Sequence, residues 1–380
     1  MTIAKEKLAT NRCDTSHGIF FKTQLNEEKD CFLKYLALLG LNENIQIQES
    51  LGGIYCCLSS IHEKYSCEGY DTSQIITSLE ASKIQYFYLI DSEIMSAMLI
   101  SPELIIFASY QELLSAVSLR KNIVEAAKNT LLSFETESAE RPEEFWRYSE
   151  VSGFTTLPGV SLKIALEKAT QPTNTEKPYS FSCWRATEYI YLLSLAKELE
   201  VCNPLLLKKL EAQWESCAIK SEAFDDSFLT SLGSHNKPMP IKYYIPGDRV
   251  WFRNPDPDSY EVTGYEGSFV FYLGGGLFSN FWTRDQPFTL TSKCVEIYHW
   301  RNGLVKNVNG TSVMDESVVQ DHVIETFSDP EKTQNIMNTM LKVRDLDGVY
   351  ESGGCIDFNR TYIRNVCIGT ADLSFHLKNY

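Results

Sequence analysis

The sequence has no CxxC pair and no apolar run long enough to cross a bilayer. Its cysteines number 11, an odd count at irregular spacing, which argues against a disulfide framework or a zinc module and favours a reducing compartment. The longest apolar stretches, 84–90 and 98–109, are short and interrupted, so no membrane span is expected. Residues 1–11 contain lysines but no apolar core, and the chain is therefore expected in the cytoplasm, or to be exported without a cleavable signal peptide.

Basic stretches are missing as well. Lysine and arginine number 35 against 50 acidic residues, and the resulting net charge of −15 is spread along the chain. This charge favours solubility and argues against nucleic acid or an anionic membrane surface as a partner. The hydrophobic fraction of 43% in 380 residues supports a full core, in two domains or one large one.

Motifs for a metal or a cofactor are not recognisable either. His322 and His376 have no partner at metal-ligand spacing, and the acidic turns 254–258 and 345–348 do not follow the pattern of an EF-hand loop. The run Gly274–Gly276 lacks the lysine and the helix of a phosphate-binding loop, and is typical of a hairpin turn. We expect no metal and no cofactor.

The segment 178–199, PYSFSCWRATEYIYLLSLAKEL, predicts a helix with a cysteine at its start. Ser180 or Ser182 can cap it, which places Cys183 in the first turn. The rest of the helix is apolar on nearly every face, so it should be buried. A thiol there faces free backbone N–H groups and the positive end of the helix dipole, and Arg185 adds a positive charge; all three favour the nucleophilic thiolate. The alternative is that Cys183 is an inert packing residue.

Five segments, in order, resemble the small bacterial transglutaminases of the bacillus spore-coat type, which are protein-glutamine gamma-glutamyltransferases. The resemblance extends over Ser118 to Trp282, and Cys183 falls on the nucleophile of that family. The segments are 121–134, 144–150, 158–169, 178–199 and 239–258.

The resemblance also implies a glutamate and a histidine as partners of the thiol, and this sequence lacks both at the matching places. Ser268 stands where the glutamate is expected and Phe281 where the histidine is expected. Two residues could take over. Glu266 would share a strand face with position 268, and His299 on the following predicted strand could form an ordinary Cys–His pair. The alternatives are a solvated carboxylate for Glu266 and a packed histidine for His299.

Three further residues are assigned to substrate binding. The resemblance places Trp146 beside the substrate cleft, although a surface tryptophan covered by Arg147 is an equal alternative. Trp184 follows the nucleophile directly. Asn280 could orient a histidine, as an amide does in papain-like proteases, or could simply face solvent.

The predicted fold is α+β, a papain-like or transglutaminase-like core in which the nucleophile helix packs on an antiparallel sheet. The strands of that sheet are expected over Tyr243–Arg253, Gly267–Leu273, Leu277–Arg284 and Phe288–Trp300, where the hydrophobic period is two. The core is assigned to residues 116–300. It is flanked by an N-terminal α/β extension, 1–115, which could bind a partner, and by a C-terminal α+β extension, 301–380.

The resemblance implies acyl transfer at protein glutamine side chains. Cys183 would attack the carboxamide, ammonia would leave, and a lysine amine or water would resolve the thioester, giving crosslinking or deamidation. The partner would be a protein with an exposed glutamine. Two alternatives stay open: an inactive relative that uses the cleft to bind a protein, and a papain-like cysteine hydrolase.

Overall fold

A computed structural model describes residues 16–23, 25–43, 45–50, 52–58, 71–75, 89–134, 139–173, 175–344 and 353–374. The sequence also predicts strands over Gly348–Ser352 and Gln85–Ile90. The first strand and residues 85–88 of the second lie outside the described residues. The described chain combines helices with largely antiparallel sheets, which confirms the predicted α+β class. None of the described helices is long and apolar enough to cross a membrane.

The helices, in chain order, are numbered α1 to α11. They are α1 Asn26–Leu38, α2 Leu89–Leu99, α3 Tyr110–Asn129, α4 Leu162–Thr170, α5 Cys183–Cys202, α6 Pro204–Ser216, α7 Glu222–Phe228, α8 Pro257–Tyr260, α9 Leu290–His299, α10 Glu316–Phe327 and α11 Pro330–Met340.

Within the described residues, the strands form one large sheet, one of intermediate size and three two-stranded ribbons. The large sheet has the order β13-β12-β11-β10-β16-β9, and the four-stranded sheet has the order β2-β3-β1-β4. The strands are β1 Ile19–Lys22, β2 Ile45–Ser50, β3 Gly53–Leu58, β4 Ile105–Phe107, β5 Ser133–Phe134, β6 Trp146–Ser149, β7 Gly153–Thr156, β8 Ser180–Phe181, β9 Leu229–Leu232, β10 Arg249–Arg253, β11 Gly267–Gly274, β12 Leu277–Phe278, β13 Phe288–Thr289, β14 Leu304–Lys306, β15 Ser312–Met314 and β16 Arg360–Ile363.

Helix α5, which begins at Cys183, is buried against α3, α4 and β11, as its apolar faces predict. Tyr191 links it to the sheet twice. Its ring meets Phe271 of β11 edge-on at 4.9 Å, and its hydroxyl donates to the carbonyl of Thr361 at 2.8 Å. The large sheet pairs antiparallel throughout, so the predicted packing of this helix on an antiparallel sheet is confirmed.

The N-terminal part packs on the core through a shared apolar cluster. The four-stranded sheet and α2 bury their apolar side chains together with Tyr243 and Ile245, which precede β10. The C-terminal part is built into the large sheet itself, since β16 lies between β10 and β9. The domain boundaries predicted at residues 115 and 300 stay predictions. Contacts cross both of them, because the N-terminal apolar cluster includes Tyr243 and Ile245 and the large sheet includes β16.

The predicted strand Phe288–Trp300 is wrong in most of its length. Only Phe288–Thr289 is a strand, and Leu290–His299 forms helix α9. Thr289 caps this helix by accepting the N–H of Ser292 at 3.0 Å, while the Ser292 hydroxyl accepts the N–H of Thr289 at 2.8 Å. Such a reciprocal capping box stabilises a helix start, and it outweighs the short alternation of apolar and polar residues that predicted a strand.

Two of the other three strands predicted for this sheet are shorter than expected. In the segment 243–253 only Arg249–Arg253 is extended, and in 277–284 only Leu277–Phe278 is extended. By contrast, β11 matches its prediction almost residue for residue. This strand is the one that lies over the start of α5.

Candidate active site

Cys183 is the first residue of helix α5. Ser182 is the N-cap, and its hydroxyl accepts the N–H of Arg185 at 3.3 Å; Ser180, the other predicted cap, belongs to β8. The predicted position of Cys183 at the start of a buried helix is therefore correct.

Two clefts meet at Cys183. The first, of about 680 Å³, has Trp184, Arg249 and several carboxylates in its wall, and is called the acidic cleft. The second, of about 550 Å³, has the rings of Tyr265, Trp282 and Trp300 in its wall beside several polar side chains, and is called the aromatic cleft. Cys183 lines both, so the two clefts meet at this half-buried residue.

The environment of the thiol differs from the prediction. Burial raises the pKa of Cys183 above its ordinary value, and the charge of Glu266 raises this pKa further. The backbone N–H groups of Phe269 and Trp184 and the ammonium of Lys293 oppose this rise. The predicted effect of the helix start is thus present but is outweighed by desolvation, and the thiol form is favoured at neutral pH.

Arg185 does not supply the positive charge expected near the thiol. Its guanidinium pairs with Glu188 one turn further along α5. Both side chains line a small pocket beside Arg141 that does not include Cys183. The carboxylate of Glu188 therefore holds this arginine on another face of the helix.

Glu266 lies in the acidic cleft together with Cys183. It precedes β11, and its carboxylate accepts the backbone N–H of Gly264 at 3.0 Å, while the rest of the side chain is half-buried. Its charge acts on the thiol. The structure brings the predicted carboxylate into the same cleft as the predicted nucleophile.

His299 lies elsewhere, at the last residue of α9. Its ring nitrogens contact Asn302 Oδ1 at 2.9 Å and Thr326 Oγ1 at 2.7 Å, its ring stacks on His322, and it lines neither cleft at Cys183. The hypothesis that His299 pairs with the thiol is therefore not supported. Burial lowers the pKa of His299, as expected for a packed neutral imidazole.

Ser268 and Phe281, which replace the expected glutamate and histidine, both face inward. Ser268 is buried on β11 and lines the aromatic cleft with Cys183. Phe281 is a core residue whose ring lies 6.4 Å from that of Phe271. Neither residue provides an acid–base group near the thiol.

Trp146 is a core residue rather than a cleft residue. Its ring lies 5.3 Å from that of Tyr189, its indole N–H donates to the carbonyl of Ala165 at 2.9 Å, and it is 3% exposed. The prediction that Trp146 binds substrate is wrong, because no part of its ring reaches either cleft. Trp184, by contrast, is 37% exposed and lines the acidic cleft beside Phe269.

Asn280 lines the aromatic cleft, but its amide serves the local turn. The side-chain N–H donates to the carbonyl of Gln286 at 2.9 Å, and the side-chain oxygen accepts the N–H groups of Trp282 and Thr283. Asn280 thus shapes one wall of the cleft, and in the described structure it does not orient a histidine.

Lys293 and Glu296 of α9 form an ion pair in the aromatic cleft that was not expected from the sequence. The lysine nitrogen lies 3.1 Å from Glu296 Oε2, and the lysine side chain is 2% exposed. The signal was present in the capping residues of α9, since a helix places residues 293 and 296 on one face. The predicted strand would have put them on opposite faces.

The described residues contain no group of three or more His, Cys, Asp or Glu side chains that could hold a metal ion.

The sequence matches the family model of protein-glutamine gamma-glutamyltransferases over residues 72–352, well over half of the chain. The chain belongs to this family, which confirms the resemblance found in the sequence. Among solved structures it is similar to the transglutaminase from Geobacillus stearothermophilus without its C-terminal extension. The two are 20% identical, the match covers 56% of this chain and 97% of that chain, and the TM-score is 0.39. The comparison with curated proteins gives no match.

Proposed function

We propose that this protein transfers the acyl group of protein glutamine side chains through a thioester on Cys183. The observation that carries the proposal is the place of this thiol, at the start of a buried helix where two open clefts meet. A lysine amine, or water, would resolve the thioester. A surface glutamine and an amine can then approach one sulfur atom from different sides.

Glu266 is proposed as the proton acceptor. Because the pKa of Cys183 is raised, the thiol needs a base at neutral pH. The Glu266 carboxylate takes the thiol proton, and the sulfur attacks the carboxamide carbon. The C–N bond then breaks, and the same proton goes to the leaving nitrogen, which departs as ammonia. In the second half, Glu266 takes a proton from the attacking amine or water as the C–S bond breaks, and then returns it to the Cys183 sulfur, which restores the thiol and the carboxylate.

The negative charge on the carbonyl oxygen needs donors fixed in advance. The N–H groups of Trp184 and Phe269 face the sulfur from the helix start and from β11. They are the proposed oxyanion donors, because a carbonyl attacked by this sulfur lies between the same two elements. Gly267, which lines both clefts, is required nearby: a Cβ there would lie 2.3 Å from the indole nitrogen of Trp251.

The test is a transfer assay with a glutamine-containing protein such as casein and a labelled primary amine. The expected result is amine incorporation together with ammonia release, and the loss of both in Cys183→Ser. Mass spectrometry of the protein with a glutamine peptide alone should show an adduct on the peptide containing Cys183. Cys217→Ser, at a half-buried thiol outside both clefts, is the matched control and should remain active. Ammonia release without amine incorporation would limit the activity to deamidation. The absence of both products would refute the proposal.

A further inference from the structure

Lys293 is a buried lysine in the wall of the cleft that contains the nucleophile. It lies on α9, and Lys293 and Cys183 line the aromatic cleft together. Its nitrogen lies over the ring of Phe288, 3.9 Å from the centroid, and 3.1 Å from Glu296 Oε2. Burying an ammonium is costly. A buried ion pair such as Lys293–Glu296 adds little net stability, because the cost of desolvating the charges offsets their attraction.

We propose that Lys293 is the cation that stabilises the Cys183 thiolate, with Glu296 holding the ammonium in position. The inference deepens the proposed function and rests on it for its catalytic consequence. A cation that is paired with a carboxylate and shares a cleft with the thiol follows the general logic of a nucleophile, its charged partner and an orienting group.

The other charged groups around the thiol do not provide this positive charge. On α5 itself, Arg185 is paired with Glu188 away from the clefts. In the acidic cleft, Arg249 pairs with Asp225 and Arg253 with Asp357, and the cation that acts on the thiol is Lys293 from the other cleft. Glu222, Asp226 and Glu266 add negative charge there.

On the aromatic side, two carboxylates accompany the lysine. Glu296 is its own partner, and Glu316 accepts the hydroxyl of Tyr265 at 2.5 Å. Lys293 is thus the cation that opposes Glu266 at the sulfur, and its charge lowers the pKa of Cys183 against the effect of burial.

The proposed role requires no covalent chemistry at Lys293. Thiolate is present twice in the reaction, as the nucleophile before the C–S bond forms and as the leaving group when it breaks. The ammonium remains protonated throughout and stabilises the sulfur at both moments, while the proton moves through Glu266. Losing this charge should raise the thiol pKa and slow both half-reactions.

The experiment measures the rate of iodoacetamide alkylation at Cys183 from pH 7 to about pH 11.5, because the pKa of this thiol is raised, by mass spectrometry of the peptide containing it. The rate follows the thiolate fraction, so its midpoint gives the thiol pKa. Lys293→Met should raise this midpoint, so that the rate at a fixed pH below it falls by about tenfold, the size of a shift of one pKa unit. Lys293→Arg, which keeps the charge, should restore most of the rate. Lys163→Met removes an equal charge far from the clefts and should match the wild type.

A folded Lys293→Met protein with the wild-type midpoint would overturn the inference. If Lys293→Met does not fold, Glu296→Gln decides, because it leaves the ammonium uncompensated and should lower the midpoint; an unchanged or higher midpoint would overturn the inference. The transfer assay separates the two proposals. If the wild type shows transfer activity and Lys293→Met leaves the midpoint unchanged, only the role of Lys293 is refuted. If Lys293→Met shifts the midpoint but the wild type has no transfer activity, only the proposed function is refuted.

Discussion

The carboxylate of Glu93 accepts the backbone N–H of Gly275 and the hydroxyl of Tyr272, both at 2.9 Å. Glu93 lies on α2, in the part of the chain before residue 116, whereas Gly275 turns the hairpin at the end of β11. Burial raises the pKa of Glu93, and the two donors oppose this rise. The N-terminal part thus supports the strand whose other end lies over Cys183.

Glu93→Ala should therefore destabilise the whole core. The buried hydroxyl of Tyr272 would be left without its acceptor, which costs about 1–3 kcal/mol, whereas the N–H of Gly275 lies at an exposed position and can bond to water. A loss of about 1–3 kcal/mol in the free energy of unfolding is therefore expected. Urea denaturation at pH 7 measures this. Glu125→Ala, at an exposed acidic position of α3, is the control and should change little. A Glu93→Ala protein as stable as the control would show that this contact is not needed.

The elements that could be predicted from the sequence are those with local signals. Helix α5 combines a serine N-cap with apolar residues on every face, and β11 contains the continuous apolar run Phe269–Leu273 next to a glycine turn, which is typical of a buried strand. The α+β class and the site of Cys183 follow from these elements together with the family resemblance. Such signals need no knowledge of the rest of the fold.

What was not predicted has two causes: a local capping signal competes with a short alternating run, and the burial of large side chains depends on contacts between distant segments. The short run Val295-Glu296-Ile297 alternates like a strand, and only its capping residues at Thr289 and Ser292 identify a helix. The predicted strand Phe288–Trp300, in place of helix α9, led to the expectation of His299 in the cleft and gave no indication of Lys293. Trp146 and Phe281 are large side chains whose burial is decided by the packing of α4, α5 and β11, which no local pattern reveals.

Glu266→Gln should separate proton transfer from the electrostatics of the thiol. Amine transfer should fall by about 10²–10⁴-fold, the usual effect of losing a general base. Alkylation of Cys183 should become faster, because removal of a negative charge that raises the thiol pKa increases the thiolate fraction. Glu261→Gln, at an exposed neighbouring position, is the control for both measurements. Equal slowing of transfer and alkylation would contradict the role of Glu266 as base.

His299→Ala should reduce stability and leave kcat per folded molecule unchanged. The loss of two buried hydrogen bonds should cost about 1–3 kcal/mol. Because the pKa of His299 is lowered in the folded state, the unfolded state takes up the proton first as the pH falls below the ordinary value of 6.5. The wild type should therefore lose stability on acidification more steeply than the variant. A large loss of kcat in a stable His299→Ala protein would restore the Cys–His hypothesis.

Glu188 should make stability depend on pH in the opposite sense. Burial raises the pKa of Glu188 to about 7 from 4.5, although the positive charge of Arg185 and the hydrogen bond from the Ser221 N–H act to lower this pKa. The folded state therefore holds a proton that the unfolded state has lost, and the stabilisation is complete below about pH 4.5 and is lost as the pH rises through about 7. Relative to Glu188→Gln, the wild type should lose about 3 kcal/mol between pH 4.5 and pH 8. Urea denaturation across this range measures the difference. Glu200→Gln, exposed on the same helix, should follow the wild type at every pH.

Trp184 is the residue on which the use of the acidic cleft for substrate binding can be tested. Its ring lies 5.9 Å from that of Phe269, which stacks at 4.9 Å on Trp251, and Arg253 covers the far face of that ring at 3.9 Å. These residues form a continuous aromatic wall that ends in the exposed indole beside Cys183. A peptide bound along this wall would bury the indole, and Trp184→Ala should then raise KM for a glutamine peptide by about tenfold, equivalent to about 1.4 kcal/mol.

The alkylation profile of Cys183 should not move in Trp184→Ala, because the backbone N–H that faces the sulfur is kept. Trp146→Phe is the matched comparison, since it alters a tryptophan of the core and removes its hydrogen bond to Ala165. It should lower the melting temperature and leave KM as it is. If Trp146→Phe raises KM and Trp184→Ala does not, the substrate does not lie along the acidic cleft, and the aromatic cleft beside Trp282 becomes the place to search for it.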